Sequence, residues 1–347
     1  MDIIEFSPTD NVALQKFHAV PQQVYANDKL WAPQSEAAVE SFFAGARKIF
    51  MRPLFCLQGD TPVARAVAIF HHGALDEQKR AQSYVGFFEC LESHHDAGQM
   101  ILQHAENILR EQGAVTVQAP RVDNMLMGLV VGGDALPQTV FTPHNPPYYV
   151  EILQLQGYQI RERLYTYVLD RSSVINFPFR LPGYHTRSFD RSRLDEEVLI
   201  FHSLQKEIFK DHAGWVPRTL EEDRQMIEGF LPMLDDNLVV IAENKDHEAI
   251  GLLVCIPDVY QAFRGQTVDR ARLISIGAIP SKAQKGVGVV MGLHLMRALL
   301  AKGYQTLEAS WIRASNIQPQ NLIKRFGGRR GREFALFEKE LISPTNS

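Results

Sequence analysis

The sequence predicts an α/β protein whose mixed β-sheet is built from one structural unit that occurs twice. Residues 274–302 have the pattern of a buried strand, a glycine turn and a helix. The order helix, glycine, strand occurs around Gly113 and again around Gly303. The chain of 347 residues is long enough for about two domains. We therefore predict two similar domains, at residues 1–172 and 173–347.

The composition is that of an ordinary globular protein. Hydrophobic residues make up 45% of the chain and charged residues 22%, and the net charge of −4 gives no basic field for nucleic acid. Cys56, Cys90 and Cys255 form no C-x-x-C or Cys/His zinc pattern, which suits a reducing compartment. The N-terminus lacks a signal-peptide profile, and no apolar run is long enough to span a bilayer. These features predict a cytoplasmic protein with no metal and no membrane partner.

The predicted first domain combines strands with two amphipathic helices. Apolar runs indicate the strands, and apolar residues at helical spacing indicate the helices. The predicted elements are a strand at 3–6, a helix at 12–25, a hairpin at 54–70, a strand at 83–89, a helix at 97–112, and strands at 115–118 and 164–169.

A long insertion at 120–147 follows the strand at 115–118. Loops of this length are usually functional or disordered, and the many apolar residues of this one argue against disorder. It lies at the end of the sheet where such folds bind ligands. We therefore predict that His144, Tyr148 and Tyr149 bind a substrate. The alternative is that the insertion packs against the second domain and only joins the two.

A linker at 171–182 precedes the second domain. Thr219 is predicted to cap a helix, with Asp223 in place of the capping-box Glu. The other predicted elements are a strand at 184–189, a helix at 198–209, a hairpin at 238–256, a strand at 274–279, a helix that ends before Gly303, a strand at 306–311, a short helix after Asn316 and a strand at 332–341.

The glycine turn at the start of the predicted helix is suited to an anion. Gly286 and Gly288 lack a Cβ, so a ligand could approach the backbone closely, and Lys285 adds positive charge. Free N–H groups and the helix dipole favour a phosphate or pyrophosphate at this position. The alternative is that the two glycines mark only a tight strand-to-helix turn.

This block resembles the core of the GNAT superfamily of acyl-CoA N-acyltransferases. There a strand is followed by [QR]-x-x-G-x-[GA] and a helix; Gly286 and Gly288 match, while Ala283 replaces the Gln or Arg. The segments 251–258 and 273–277 also resemble a bacterial family of uncharacterised two-domain GNAT-like proteins. The resemblance implies tandem GNAT domains with acetyl-CoA or another acyl-CoA as co-substrate. The residues it implies for coenzyme A binding are Ile276, Gly277, Ala278, Lys285, Gly286, Val287, Gly288 and Asn316.

The same resemblance suggests the catalytic residues. Acyl transfer to an amine needs a base, and we predict Glu308, on the strand beside the cofactor strand and near its ligand end, with Asp211 and His212 as rivals. Trp215 lies in the same predicted wall of the acceptor site as His212. The superfamily tyrosine that protonates the leaving thiolate has no counterpart, because Ile323 stands at its expected position.

The predicted function is transfer of an acyl group, with acetyl favoured, from acyl-CoA to an amine of a small molecule or peptide. The second domain would bind acyl-CoA. The first would be a degenerate copy with a possible acceptor site, because its residues 90–96 lack the glycine turn and include acidic side chains. The missing tyrosine favours the alternative of a non-catalytic acyl-CoA sensor or scaffold. The sequence leaves monomer and homodimer open.

One basic cluster could bind nucleic acid, but a solvated hairpin is favoured, and contact with the 3′-phosphate of coenzyme A is a third possibility. The cluster consists of Lys324, Arg325, Arg329, Arg330 and Arg332.

Overall fold

The structure is a computed structural model that describes residues 1–33, 35–45, 49–76, 78–123, 126–174, 178–210 and 218–341. The chain divides into two compact units. Unit 1 comprises Met1–Leu164 and the chain from Arg332 onward, and unit 2 comprises Tyr165–Gly331. The predicted boundary at 172/173 stays a prediction. The units differ from it because the chain from Tyr165 belongs to unit 2 and the chain from Arg332 belongs to unit 1.

Unit 1 contains strands and helices in the order predicted for the first copy. Its elements are β1 (Asp2–Glu5), α1 (Asn11–Val24), α2 (Glu36–Gly45), β2 (Ile49–Gln58), β3 (Thr61–Leu75), β4 (Ala81–Cys90), α3 (His95–Glu111), β5 (Thr116–Ala119), β6 (Leu129–Gly132), α4 (Tyr148–Leu155), the first part of β7 (Gln159–Asp170) and most of β13 (Arg329–Glu340).

The sheet of unit 1 has the strand order β1-β2-β3-β4-β5-β13-β7, and β6 also pairs with β13. Strands β1 to β4 are antiparallel neighbours, and β4 runs parallel to β5. The last strand of the chain, β13, runs antiparallel to β5, with Phe337 opposite Ala119 and Glu340 opposite Thr116. This pairing is why the end of the chain belongs to unit 1.

Helices cover both faces of this sheet. On one face α3 buries Ile101, Leu102 and Leu109 in a core with β2, β4 and β5. On the other face α1 buries Leu14 and Phe17 against residues of β2, β3 and β4. Side chains alternate between the two faces along each strand, so a strand that is covered on both faces is apolar throughout.

Unit 2 repeats this architecture. Its elements are the end of β7, β8 (Tyr184–Ser188), α5 (Leu194–Phe209), α6 (Leu220–Phe230), β9 (Val239–Asn244), β10 (Ala249–Pro257), α7 (Tyr260–Phe263), β11 (Arg270–Ala278), α8 (Val287–Lys302), β12 (Thr306–Arg313), α9 (Ile317–Arg325) and the start of β13.

The sheet of unit 2 has the order β7-β12-β11-β10-β9-β8. Strands β8 to β11 are antiparallel neighbours, and β11 runs parallel to β12. Along β9, Val240 and Ala242 pack in the core that α8 covers, while Ile241 packs in the core beneath α5 and α6. The predicted α/β fold with mixed sheets is therefore confirmed.

One local prediction was wrong. Thr219 does cap α6, but the reciprocal partner in its capping box is Glu222, which is the third helical residue, and not Asp223. The Thr219 hydroxyl accepts from the Glu222 N–H at 3.2 Å, and the Glu222 carboxylate accepts from the Thr219 N–H at 2.7 Å. Within the part of the chain that the structure describes, no helix is long and apolar enough to cross a bilayer.

Candidate active site

The two parallel strands of unit 2 separate part-way along their length. Residues Arg270–Leu273 of β11 pair with Thr306–Ala309 of β12. In the fully described segment 270–313 no further residues of these strands pair with each other, although β11 continues to Ala278 and β12 to Arg313. Their facing edges therefore leave backbone groups available to a ligand.

A β-bulge in β11 coincides with this separation. Cys255 of β10 pairs with Leu273, whereas the preceding Val254 pairs with Ser275, so Ile274 is an extra residue in β11. A bulge bends its strand and increases the local twist. The parallel pairing of β11 with β12 ends at Leu273, directly before this extra residue.

A cavity of about 240 Å³ lies where the strands separate. Residues of β11, β12, α8 and α9 form its walls, and most of them are apolar. The polar exceptions are Ser275, Ser310, Arg313 and Asn316. The apolar lining includes Phe209, Leu253, Leu273, Ile276, Leu295, Met296, Leu307, Ala309, Ile312, Leu322, Ile323 and Phe326.

The predicted glycine turn begins α8. Gly286 has a φ of 117°, which glycine adopts readily and other residues rarely do. A Cβ on Gly286 would also lie only 3.0 Å from the Phe179 ring. The N–H groups of Gly286 and Gly288 donate to no acceptor in the described chain. This helix terminus therefore presents free donors and the positive end of the helix dipole.

The structure brings several of the predicted cofactor residues together. Ile276 and Asn316 line the cavity. Gly288 lies beside it, since its Cβ position is 3.5 Å from Leu322 and 4.0 Å from Ile276, and both of these side chains are part of the lining. Residues 285–287 form the adjoining turn. The turn and the cavity thus form one continuous region.

Close packing of α5 against β11 explains why residue 277 is glycine. A Cβ at this position would lie 2.4 Å from Cγ2 of Ile208 in α5. Ala278 ends β11 and pairs with Gly251. Neither Gly277 nor Ala278 lines the cavity. Close helix–sheet packing explains the small residue at 277, and the role of both residues toward coenzyme A stays a prediction.

Glu308 lies in the paired part of β12, opposite Arg272, rather than near the ligand end as expected. Its side chain is buried, with 1% exposed, and does not line the cavity. Its Oε1 is 3.4 Å from the hydroxyl of Ser310, which does line the cavity. The Ser310 hydroxyl also accepts from Nε of the buried Arg272 at 2.8 Å. Ser310 therefore connects Glu308 to the cavity.

Ile323 lines the cavity at the position where the GNAT resemblance implies a tyrosine. Its side chain is buried and packs with Ala309 and Tyr167. The described lining of the cavity includes no tyrosine. The nearby Tyr167 donates its hydroxyl to Gln320 at 3.0 Å.

A second cavity, of about 640 Å³, lies in unit 1 at the end of β4. It is lined by Gln23, Val24, Tyr25, Asp28, Leu91, Glu92, Ser93, Asn145, Pro146, Pro147 and Tyr148. Here too β4 is irregular, since its register with β3 shifts between Arg65 and Val67 and Phe87 has a φ of 53°. Of the predicted substrate residues, Tyr148 lines this cavity directly.

The other two predicted substrate residues, His144 and Tyr149, do not line this cavity. Tyr149 is buried and donates to Oε2 of Glu89 at 2.7 Å. The Tyr25 hydroxyl lies 2.9 Å from the same oxygen. Nε2 of His144 is 2.6 Å from a carboxylate oxygen of Asp28.

Glu89 is the centre of this network. Burial raises the pKa of the Glu89 carboxyl, although the Arg65 guanidinium 3.8 Å away and the two tyrosine hydroxyls oppose that rise. Burial, together with Glu89, raises the pKa of Tyr25 and of Tyr149 well above the ordinary value. Sequence reasoning missed Glu89 and Tyr25, which are 64 residues apart. The one feature of the sequence that could have indicated Glu89 was a carboxylate at the end of a predicted buried strand.

Two predicted site residues, His212 and Trp215, and the rival base Asp211 lie outside the described residues. The basic cluster is described, and the interpretation as a solvated hairpin was wrong for Arg332. Arg332 is 2% exposed, and its Nη2 donates to the hydroxyl of Thr139 at 3.1 Å. Among described residues, no group of three or more His, Cys, Asp or Glu could hold a metal ion.

Comparisons with known proteins bear on this geometry. No protein-family profile matches the chain. It is 24% identical over 367 residues to a protein named bacterial ceramide synthase from Caulobacter vibrioides, covering 94% of this chain and 95% of that one. A tandem GNAT protein from the clavulanic acid biosynthesis pathway matches in structure with a TM-score of 0.64 and 11% identity, over 99% of both chains. The fold is a tandem GNAT fold.

A second solved structure supports the tandem GNAT fold. A GCN5-related glucosamine N-acetyltransferase region of a fungal multi-domain β-N-acetylglucosaminidase gives a TM-score of 0.61 at 11% identity. The match covers 97% of this chain, and the chain spans 38% of that longer protein. The predicted GNAT resemblance is confirmed at the level of fold. A shared fold does not by itself fix the activity or the substrate.

The packing explanation for Gly277 can be tested by substitution. Gly277→Ala should lower the free energy of unfolding by about 1–3 kcal/mol, because the added methyl group overlaps Ile208. Adding Ile208→Ala should give a double variant that is more stable than the sum of the single effects, since it removes the overlap. Urea denaturation measures both effects.

Gly229→Ala in α6 is the matched control. No atom lies within 4 Å of its Cβ position, so this change should raise stability by about 0.5–1 kcal/mol. Strict additivity of Gly277→Ala and Ile208→Ala would contradict the packing explanation.

Proposed function

We propose that this protein is an acyl-CoA-dependent N-acyltransferase that transfers an acyl group to the amine of a small molecule or peptide. The observation that carries the proposal is the continuous region in unit 2 formed by the glycine turn, the separated strands β11 and β12, and an apolar cavity. These features suit the three parts of an acyl-CoA, which are a charged pyrophosphate, a polar arm with amide groups and an apolar acyl chain.

The pyrophosphate would bind at the N-terminus of α8. The free N–H groups of Gly286 and Gly288 and the helix dipole provide positive potential there, and Lys285 adds a full charge. The amide groups of the arm would pair with the backbone edge of β11 that does not pair with β12 beyond Leu273. Ile276 and Asn316 would contact the arm from the cavity wall.

The cavity favours an acyl chain longer than the acetyl group that the sequence suggested. One water occupies about 30 Å³ in the liquid, and a methyl group is of similar size. A space of about 240 Å³ with a largely apolar lining therefore has room for several more carbon atoms than acetyl contains.

The name of the bacterial relative also supports an acyl chain longer than acetyl. It is named a ceramide synthase, and a ceramide is a long-chain amino alcohol that carries an acyl group on its nitrogen. That name agrees with amide formation and with a long acyl chain. We propose a hydrophobic primary amine as the acceptor class for this chain.

In the proposed reaction the amine attacks the thioester carbonyl, its nitrogen loses a proton and the coenzyme A thiolate leaves. Glu308 would receive the proton through the Ser310 hydroxyl, which lines the cavity 3.4 Å from the carboxylate. Free backbone N–H groups of β11 around Ile276 would polarise the carbonyl oxygen. With Ile323 in place of a tyrosine, water would protonate the thiolate.

The second candidate function is an acyl-CoA sensor without catalysis. Ile323 favours it, because the described lining of the cavity offers no tyrosine to protonate the thiolate. Release of free coenzyme A from long-chain acyl-CoA, measured with a panel of primary amines, separates the two functions. Acyl-CoA binding without amine-dependent release would support the sensor.

Gly288→Asp should abolish binding of coenzyme A. The substitution places a negative charge beside the proposed pyrophosphate site. Gly288→Ala is the control, because a Cβ there makes only ordinary contacts at 3.5 Å, and it should bind with nearly the affinity of the unaltered protein. Calorimetry would overturn the site if a folded Gly288→Asp protein bound coenzyme A unchanged, or if two molecules bound per chain.

Ala309→Leu should shorten the preferred acyl chain. The larger side chain would fill the cavity, so kcat/KM for long-chain acyl-CoA should fall roughly 10- to 100-fold, while short-chain acyl-CoA should be affected much less. Ala301→Leu is the control, because Ala301 is exposed near the end of α8. An equal loss for all chain lengths would argue against an acyl pocket.

Glu308→Gln should lower kcat by about 10²- to 10⁴-fold with little change in coenzyme A affinity. Ser310→Ala should act in the same direction, because it removes the hydroxyl that connects Glu308 to the cavity. Melting temperatures must accompany the kinetics, since Glu308 also lies opposite the buried Arg272. Normal turnover in Glu308→Gln would exclude Glu308 and favour His212 or water as the base.

A further inference from the structure

One arginine of unit 2 is wholly buried beside the proposed path of the proton. Arg272 of β11 is 0% exposed and lies opposite Glu308 of β12 in the parallel pairing. Its Nε donates to the Ser310 hydroxyl at 2.8 Å, and its Nη2 donates to the Ser310 carbonyl at 3.4 Å. Its Cζ also lies 5.1 Å from the centroid of the Trp311 ring. Because the guanidinium is planar and rigid, these contacts hold both the backbone and the side chain of Ser310 in place.

The contact with Arg272 also sets the direction of the hydrogen bonds at Ser310. A guanidinium is always charged in proteins, and it donates hydrogen bonds but never accepts them. The Ser310 oxygen must therefore accept from Arg272, and its own proton must go to another group. That proton is donated to Oε1 of Glu308, 3.4 Å away. A hydroxyl has one proton and two lone pairs, so one lone pair of this oxygen remains for a third partner.

The cavity is where that third partner would bind. Ser310 is part of the cavity lining, although the residue is only 3% exposed. A group in the cavity that approaches the hydroxyl therefore meets an acceptor, because the proton is already directed toward Glu308. The N–H of an amine is a donor that suits this position.

We infer that Arg272 is a positioning residue, which orients the Ser310 hydroxyl to pass a proton from the acceptor amine to Glu308. The inference rests on the proposed function, because it concerns the proton of that reaction. As the amine nitrogen bonds to the thioester carbonyl carbon, an N–H proton moves to the remaining lone pair of Ser310, and the Ser310 hydroxyl proton moves to the Glu308 carboxylate. The C–S bond breaks, the thiolate takes a proton from water, and Glu308 returns its proton to the solvent.

A second buried arginine on the same strand provides the comparison. Arg270 is 9% exposed, and its Nε donates to Oδ2 of the buried Asp258 at 2.8 Å. Neither Arg270 nor Asp258 lines the cavity. Arg272 differs because it donates to a hydroxyl that belongs to a residue of the cavity lining. Loss of either arginine should lower stability, but only loss of Arg272 should act through Ser310.

The test is a double-mutant cycle on kcat for the amine-dependent release of coenzyme A by the full chain. Arg272→Gln alone should lower kcat about 10- to 100-fold, as expected for the loss of a hydrogen bond from a charged donor. Affinity for coenzyme A, measured by calorimetry, should stay nearly the same. In the Ser310→Ala background the same change should lower kcat by less than about 2-fold, because the hydroxyl that Arg272 orients is already absent.

Arg270→Gln is the matched control. It should lower the melting temperature, because Asp258 loses a buried partner, and its small effect on kcat should be the same with and without the Ser310 hydroxyl. If Arg272→Gln does not fold, Arg272→Lys takes its place in the cycle, since it keeps the buried charge. It should also lower kcat, because an ammonium lacks the planar fork that contacts both oxygens of Ser310.

The outcomes separate this inference from the proposed function. No amine-dependent release of coenzyme A by the unaltered chain would reject the acyltransferase and, with it, the role of Arg272. Release by the unaltered chain, with equal losses from the Arg272 change in the presence and absence of the Ser310 hydroxyl, would reject the role of Arg272 alone. An unchanged kcat in a folded Arg272 variant would also overturn it, as would an affinity for coenzyme A that falls in proportion to kcat.

Discussion

The candidate active site depends on one constraint in the sheet of unit 2. Strands β11 and β12 pair in parallel only as far as Leu273 and Ala309, and the extra residue Ile274 directly follows Leu273 in β11. An opening within a sheet would normally leave buried backbone groups without partners, which is costly. A ligand with its own amide groups can satisfy those groups. The glycine turn adjoins the apolar cavity at this opening, so helix N–H donors and an apolar surface lie side by side.

The two units share an architecture and differ in the turn before the helix that follows the central strand. In unit 2 Gly286 is the N-cap of that helix, and its φ of 117° is one that glycine adopts readily. In unit 1 the corresponding helix α3 follows residues 90–94, which include Glu92 and no glycine. The two units thus have the same elements and differ in the residues at the N-terminus of this helix.

The sequence allowed much of the fold and part of the site to be predicted. Gly286 and Gly288 follow a buried strand and precede an apolar helical repeat, and that local order sufficed to locate the turn. Glu308 was chosen from its strand, but the sequence could not show that it lies opposite Arg272 and contacts the cavity-lining Ser310. Glu89 was missed because its tyrosine partners are 64 and 60 residues away.

The sequence by itself determined most of the strands and helices and their repeated order, because these follow from the periodicity of neighbouring side chains and from glycine at left-handed positions. It did not predict α2, β6, α4 or α7. Only the tertiary structure decided which unit holds the last strand, since β13 pairs with β5 across more than half the chain. It also decided that Gly277 must be small, because Ile208 comes from a different helix. Contacts between distant segments depend on how whole elements pack, and no local pattern records them.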